Sequence, residues 1–183
     1  LELTYDKIFD KQGNKLLVFF DKNMDVIGDI HSYGHDIEAT WLIDRAAEVI
    51  GDPAITAEFA EMNKRIVRNI ADIAYDKASG SLLNERENDK INTWRIWWVQ
   101  AETVIGFMNG FQKGYGGEEY FEISSNVWKF IQEHIIDKRP GGEWHSQIDD
   151  QWKPADFKPM VDPWKCPYHN GRMCMEMMRR LAE

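Results

Sequence analysis

Apolar residues recur at spacings of three and four in several stretches of the chain, which is the period of an amphipathic helix. One such face spans residues 35–50 and is followed by Gly51, Asp52 and Pro53. These residue types suit, in that order, a helix C-terminus, an N-cap and the first position of a new helix. The next stretch carries an apolar stripe made of Ile55, Phe59, Met62, Ile66, Ile70 and Ile73. The pattern therefore predicts an αα-hairpin.

A second helical pair is predicted further along the chain. Its first helix ends near Gly114 and has the stripe Trp94, Trp97, Trp98, Ala101, Ile105 and Met108. Its second helix has the stripe Phe121, Ser124, Trp128, Ile131 and Ile135. A last helix is expected to begin near Tyr168 and to run to the end of the chain. Helix pairs at a spacing of roughly 40 to 60 residues predict an all-α protein with a stacked or toroidal α/α architecture.

Short stretches rich in Gly, Asn and Ser separate the predicted helices. Residues 11–14 precede the apolar stretch 16–20, residues 78–80 precede 81–83, and a further glycine-rich stretch lies at 141–144. Turn residues beside β-favouring residues are typical of small hairpins. We expect these hairpins to form loops at one end of the helical array, within a single domain over residues 1–183.

Composition and charge exclude several classes of partner. The 183 residues suffice for one domain with a sizeable core. The 31 acidic and 22 basic residues give a net charge of −9, and no stripe of Lys or Arg is present. Nucleic acid is therefore not an expected partner. No stretch approaches the ~20 apolar residues of a membrane span, so no membrane partner is expected. Two cysteines, Cys166 and Cys174, favour a reducing compartment, which predicts the cytoplasm.

The first candidate site lies at the start of the first predicted helix. His35, Glu38 and Arg45 fall within roughly a 100° arc of that helix, with Trp41 at its edge. One face thus carries an imidazole, a carboxylate and an indole. An alternative is an ordinary helix start, in which acidic residues favour the helix dipole and His35 is solvated.

Metal binding is a second alternative for this segment. His31, His35 and Glu38 have the His-x3-His spacing with a carboxylate that zinc and iron sites use. The alternative requires His31 to be helical. Gly34 lies between the two histidines, and residues 29–34 are more typical of a loop that enters the helix, so no metal is expected.

The second candidate site is a ridge of aromatic residues. Trp94, Trp98 and Glu102 are four residues apart, so a continuous helix would align two indoles and a carboxylate. Such tryptophans commonly belong to the core. A sugar site also needs a stacking surface beside a group that accepts hydroxyl hydrogens, and both interpretations remain open.

The third candidate site is the segment 163–172. Two prolines stiffen a loop that places His169 at the start of a helix, with Arg172 near it. The arginine can stabilise an oxygen that becomes negative. The alternatives are a capped helix with an exposed histidine, or a zinc site formed with Cys166 and Cys174, which lacks the second ligand pair of a zinc finger.

Two histidines that face one pocket can exchange a proton on both sides of a carbon, because an imidazole titrates near pH ~6.5. That is the chemistry of an epimerase. The segments 33–39, 96–102 and 164–172 resemble those of the N-acylglucosamine 2-epimerase and cellobiose 2-epimerase superfamily. The resemblance covers nearly the whole chain in order, and the second and third segments are most similar to the cellobiose 2-epimerase branch.

The resemblance implies an (α/α)6 barrel that acts on the reducing-end glucose of a β-1,4-linked disaccharide and converts it to mannose, without metal or other cofactor. The sugar ring opens, one histidine removes the C2 proton, and a cis-enediolate forms. Rotation about the C2–C3 bond exposes the other face, which the second histidine reprotonates. His35 and His169 match the two catalytic positions, and their order reverses with the direction of the reaction.

The resemblance also implies a set of substrate-binding residues: Glu38, Trp41, Trp98, Glu102, Trp164 and Arg172. Glu38 is expected to orient His35 or to bind a hydroxyl, and Glu102 to hold hydroxyls. The two indoles near the histidines are expected to wall the sugar, and Trp164 to pack against the distal sugar. The guanidinium is expected to face the enediolate.

The chain departs from the family pattern in length. The helices that we predict are about half of those in an (α/α)6 barrel, and they match its C-terminal half. We therefore expect a fragment, or a chain that is completed by an N-terminal half or another protomer, because open inner faces would expose a large apolar patch. Alternatives are an N-acylglucosamine 2-epimerase or another sugar isomerase of the superfamily, a noncatalytic carbohydrate-binding α/α domain, and a glycoside hydrolase that uses Glu38 and Glu102.

Overall fold

The computed structural model describes residues 1–182, which contain five α-helices and nine short strands. The helices are α1 (Tyr33–Ile50), α2 (Pro53–Ile73), α3 (Trp97–Gln112), α4 (Glu118–Phe130) and α5 (Tyr168–Ala182). The strands are β1 (Phe9–Asp10), β2 (Lys15–Leu16), β3 (Ile30–Ser32), β4 (Tyr75–Asp76), β5 (Ser81–Leu82), β6 (Glu85–Glu87), β7 (Lys90–Asn92), β8 (Arg95–Ile96) and β9 (Gln147–Ile148). Two π-helical turns cover Thr4–Ile8 and Ile131–Ile135. The last residue of the predicted C-terminal helix, Glu183, lies outside the described residues.

The first predicted hairpin is confirmed by α1 and α2. Gly51 ends α1 in the left-handed region, at φ 75°, and its N–H donates to the Ala47 carbonyl at 3.0 Å. The Asp52 side chain accepts from Ala54 N at 2.8 Å, so it caps α2 as its residue type predicts. Pro53 occupies the first position, where its missing N–H costs nothing. The connection is therefore encoded by adjacent residues.

The predicted start of the second helix pair is wrong by three residues. Arg95 and Ile96 pair with Ile148 and Gln147 as strands β8 and β9, so the helix begins only at Trp97. Trp94 lies before that strand and does not share a helical ridge with Trp98 and Glu102. Local periodicity cannot show this, because the strand partner is about fifty residues away in sequence.

Helices α1, α3 and α5 form one row, and α2 and α4 pack on α1 and α3 as a second layer. The central helix α3 is buried on nearly all sides, as expected for a helix that contacts its neighbours in the row and also the second layer. Gly106 lets α1 approach α3 closely, since a Cβ there would lie 2.5 Å from Ile37 Cγ1. This two-layer arrangement confirms the predicted α/α architecture.

All three predicted hairpin regions pair as antiparallel segments. Strands β1 and β2 pair Phe9 with Leu16, and β4 and β5 pair Tyr75 with Leu82. An isolated bridge joins Ile136 to Trp144 around the third turn. A three-stranded sheet of β3, β6 and β7 was not expected; it leads directly into α1. Among residues 1–182, no helix is both long and apolar enough to cross a bilayer.

Candidate active site

The starts of α1, α3 and α5 meet at one place. His35 is in the first turn of α1, Trp98 follows the first residue of α3, and His169 follows the first residue of α5. The ring centroids of His35 and Trp98 are 4.8 Å apart, and those of Trp98 and His169 are 5.4 Å apart. One indole therefore contacts both predicted acid/base imidazoles. Helix N-termini carry partial positive charge, so this place favours an anion.

Gly34 makes the close contact between α1 and the Trp98 ring possible. A Cβ at this position would lie 2.6 Å from Trp98 Cη2 and 2.7 Å from a methyl of Val99. Neither neighbour can move without disturbing the start of α3. The glycine beside His35 thus has a packing role, because it lets the indole lie against the backbone of α1.

His35 is exposed and has a hydroxyl partner. Its Nδ1 hydrogen-bonds Ser32 Oγ at 2.7 Å. Ser32 is the N-cap of α1, and such a hydroxyl ordinarily accepts from the backbone N–H three residues later. Here it bonds the side chain at that position. Ser32 was not among the predicted site residues, although the Ser-x-x-His spacing at a helix start was a usable signal.

His169 is buried and has a carboxylate partner. Its Nδ1 donates to Glu102 Oε1 at 2.7 Å, and only 6% of the residue is exposed. The Tyr168 ring lies beside it, with centroids 3.9 Å apart, and the Trp97 ring meets it edge-on at 6.3 Å. With Nδ1 bonded to the carboxylate, Nε2 is the nitrogen available to a substrate.

Glu102 is fully buried and its two oxygens are used within the protein. Oε2 accepts from Trp41 Nε1 at 2.9 Å, and Oε1 accepts from His169 and from Arg172 Nη2, the latter at 2.7 Å. Trp41 is itself 5% exposed. Both Glu102 oxygens thus have partners within the protein, and the Trp41 indole N–H is one of them. The expected contacts of Glu102 and Trp41 with a sugar stay predictions.

Arg172 joins the two carboxylates of the site. Its Nη2 donates to both Glu38 and Glu102, and its guanidinium lies 5.1 Å from the centroid of the Trp41 ring. Burial alone lowers the pKa of Arg172, but the hydrogen bonds and charges of Glu102 and Glu38 raise it above its ordinary value. Glu38 thus pairs with Arg172, whereas the expected partner, His35, is oriented by Ser32.

The residues that could bind a metal in the structure differ from the set that the sequence suggested, which was His31, His35 and Glu38. His31 lies in β3 and donates from Nε2 to the buried Asp36 at 2.7 Å, so the alternative that required a helical His31 is wrong. Ligand atoms of Glu38, Glu102 and His169 do lie within 4.8 Å of one another. The cation among them is the Arg172 guanidinium, which bonds both carboxylates and offsets one of their two negative charges.

Two of the predicted aromatic residues lie away from this cluster. Trp164 is 85% exposed on the loop that precedes α5. Trp94 contacts Phe157 edge-on, with centroids 5.9 Å apart. The structure thus brings together seven of the eight predicted site residues and leaves Trp164 open to solvent.

The fold and the site define an α/α protein in which two histidines contact one indole at the place where three helices begin. The sequence model described as N-acylglucosamine 2-epimerase (GlcNAc 2-epimerase) matches residues 1–170, and the chain belongs to this family. The chain is 53% identical over 175 residues to a cellobiose 2-epimerase of Ruminococcus albus. The aligned region covers 96% of this chain and 44% of the relative. It is 46% identical over 179 residues to the cellobiose 2-epimerase of Dictyoglomus turgidum, with 98% and 45% coverage.

Solved structures agree with these matches. A sugar epimerase from a ruminal bacterium superposes with a TM-score of 0.94 at 52% identity, over 97% of this chain and 45% of the other. The cellobiose 2-epimerase of Bacillus thermoamylovorans gives 0.91 at 41% identity, over 98% and 45%. The predicted partial α/α toroid is therefore confirmed. The chain spans less than half the length of the relatives that it matches.

Proposed function

We propose that this chain supplies the two acid/base histidines of a carbohydrate 2-epimerase. The reaction interconverts glucose and mannose at the reducing end of β-1,4-linked disaccharides such as cellobiose. The observation that carries the proposal is the contact of His35 and His169 with the single indole of Trp98. The names of the relatives support the same reaction and the same substrate class.

His169 acts as an acid/base group through Nε2. Glu102 accepts a hydrogen bond from Nδ1, which fixes the tautomer and stabilises the imidazolium that forms when Nε2 takes a proton from C2. Because Glu102 is held by Trp41 and Arg172, the imidazole is oriented before the substrate arrives. This preorganisation suits removal of a weakly acidic C–H proton.

His35 acts on the opposite face of the same carbon. After rotation about the C2–C3 bond, the second imidazole, which was protonated from the start, gives its own proton to the other face of C2. The first imidazole keeps the proton that it removed and later exchanges it with solvent. Ser32 orients His35, and the exposed position of this imidazole leaves it accessible to an open-chain sugar. The balance is one proton out and one proton in, with no net oxidation or reduction.

The enediolate is stabilised by charge that is already in place. Arg172 supplies a cation beside His169, and the starts of α1, α3 and α5 contribute their partial positive charges. Trp98 provides a wall for the reacting sugar, and Trp164 an exposed surface for the distal sugar. Glu38 orients Arg172 and is the carboxylate nearest to solvent in this cluster.

The proposed assembly includes the remaining half of the barrel. An apolar groove of 410 Å³ lies between α3, α4 and α5, and Phe121, Met178 and Leu181 on its walls are exposed. In this chain α1 is covered by α2 and α3 by α4, whereas α5 is followed by no such helix within residues 1–182. We place this chain as the C-terminal portion of an (α/α)6 domain, in which the rest of the barrel covers the groove.

The free thiols of Cys166 and Cys174 support the cytoplasm as its compartment.

The test is incubation of the intact protein with cellobiose in D₂O. We expect an epimeric disaccharide that carries deuterium at C2. Release of glucose would indicate a hydrolase, and an unchanged disaccharide with measurable binding would indicate a carbohydrate-binding domain. His145→Ala is the matched control, because His145 is a partly buried histidine whose backbone bond to Ile135 survives the change.

A further inference from the structure

A lysine is buried next to the proposed site without a role in the chemistry. Lys165 is 1% exposed, and its Nζ donates to Met160 O at 2.7 Å and to the Glu143 carboxylate. Burial lowers the pKa of Lys165 to about 8. A buried ammonium is costly unless it is paired, so its presence indicates that the contact with Glu143 matters.

Glu143 has a second partner beside His169. Its Oε1 accepts from Asn170 Nδ2 at 2.6 Å, while its other oxygen accepts from Lys165. Asn170 lies in the first turn of α5, directly after His169. Glu143 itself is held in a hairpin, because its carbonyl accepts from Asp137 N at 3.1 Å. One carboxylate on a supported hairpin therefore connects the loop before α5 to the start of α5.

The loop end of this connection is a tight turn that presents Trp164. Asp162 Oδ1 accepts from Trp164 N at 2.7 Å and from Lys165 N at 2.8 Å. The backbones of Asp162 and Lys165 also bond each other in both directions. The Trp164 ring is exposed, yet its backbone is fixed one residue away from the buried ammonium.

We propose that the bridge formed by Lys165, Glu143 and Asn170 sets the position of Trp164 relative to His169. These three are positioning residues. The bridge fixes the spacing between the distal-sugar surface and the imidazole that exchanges the C2 proton, and so selects disaccharides over monosaccharides. The inference rests on the proposed epimerase function. It identifies the buried ion pair as the determinant of substrate length.

The discriminating variant is Lys165→Met, which keeps the length of the side chain and removes its charge. We expect KM for cellobiose to rise about five-fold, because one aromatic contact with the distal sugar is lost. We expect kcat/KM for glucose to stay within about two-fold, because a monosaccharide does not reach Trp164. Glu143→Gln is expected to act in the same direction. The double variant is expected to equal the single ones, since the bridge is already broken. Lys158→Met, at an exposed lysine of the same loop, is the control.

Equal effects on cellobiose and glucose, or additive effects in the double variant, would overturn the inference and leave the epimerase intact. Absence of epimerisation in the unmodified protein would instead refute the proposed function. Hydrogen exchange of the unmodified protein gives a test that needs neither turnover nor variants. We expect slow exchange at the amides of Trp164 and Lys165 relative to those of Asp156 and Phe157. Fast exchange throughout the loop would contradict a fixed turn.

Discussion

His35 and His169 begin helices of the same row and share one indole, yet their surroundings are opposite. His35 is exposed and has a neutral hydroxyl on Nδ1. His169 is buried and has a carboxylate on Nδ1, which is itself fully buried. A carboxylate keeps the proton on the imidazole nitrogen that it faces and stabilises the imidazolium, whereas a hydroxyl only orients the imidazole.

These different surroundings predict how far the orientation of each imidazole depends on the rest of the protein. The orientation of His169 depends on a network that reaches Trp41 on α1 and Arg172 on α5. The orientation of His35 depends on one residue of the preceding strand. We therefore expect the reaction to be sensitive to remote changes around His169 and tolerant of them around His35.

The largest expected effect is that of His169→Ala. Epimerisation should fall about 10³-fold or more, because acid/base groups contribute on the order of 10² to 10⁴. The measurement is the rate of mannose-end product from cellobiose, together with deuterium entry at C2 from each epimer. Full activity of this variant would remove His169 from the mechanism.

His35→Ala is expected to lower epimerisation about 10²-fold or more. The informative readout is isotope exchange: with one of the two epimers as substrate, His169 still exchanges the C2 proton although no epimer forms. Loss of exchange from both epimers would contradict a division of the two faces between the histidines.

Glu102→Gln tests the carboxylate of the buried network. A glutamine oxygen can still accept the hydrogen bond from Nδ1, but the amide has no negative charge to stabilise the imidazolium, so we expect kcat to fall about 10²-fold. The pH profile of kcat should change as well, which a purely structural effect would not cause. Glu122→Gln, at an exposed position of α4, is the control and should leave both unchanged.

The smallest effect is expected for Ser32→Ala. One hydrogen bond to a neutral group is worth about 1 kcal/mol, so kcat should fall by less than about ten-fold. A loss as large as that of Glu102→Gln would show that the two histidines depend equally on their partners, and the contrast between them would fail.

Much of the helical pattern and the candidate site was predictable from residues close in sequence. The α1–α2 connection follows from Gly51, Asp52 and Pro53, which act on their immediate neighbours. The same holds for His35 and His169 as candidates at helix starts. The start of α3 was not predictable, because Arg95 and Ile96 are taken into a strand by residues that lie far along the chain.

The α/α class, the short hairpins and the candidate site residues could be predicted from the sequence, because helix periodicity and capping depend on neighbours within one or two turns. The partners of those side chains are visible only in the tertiary structure. Glu102 meets Trp41 across 61 residues and His169 across 67. Such contacts arise only when α1, α3 and α5 pack with their starts together, and that packing makes the carboxylate the partner of a histidine.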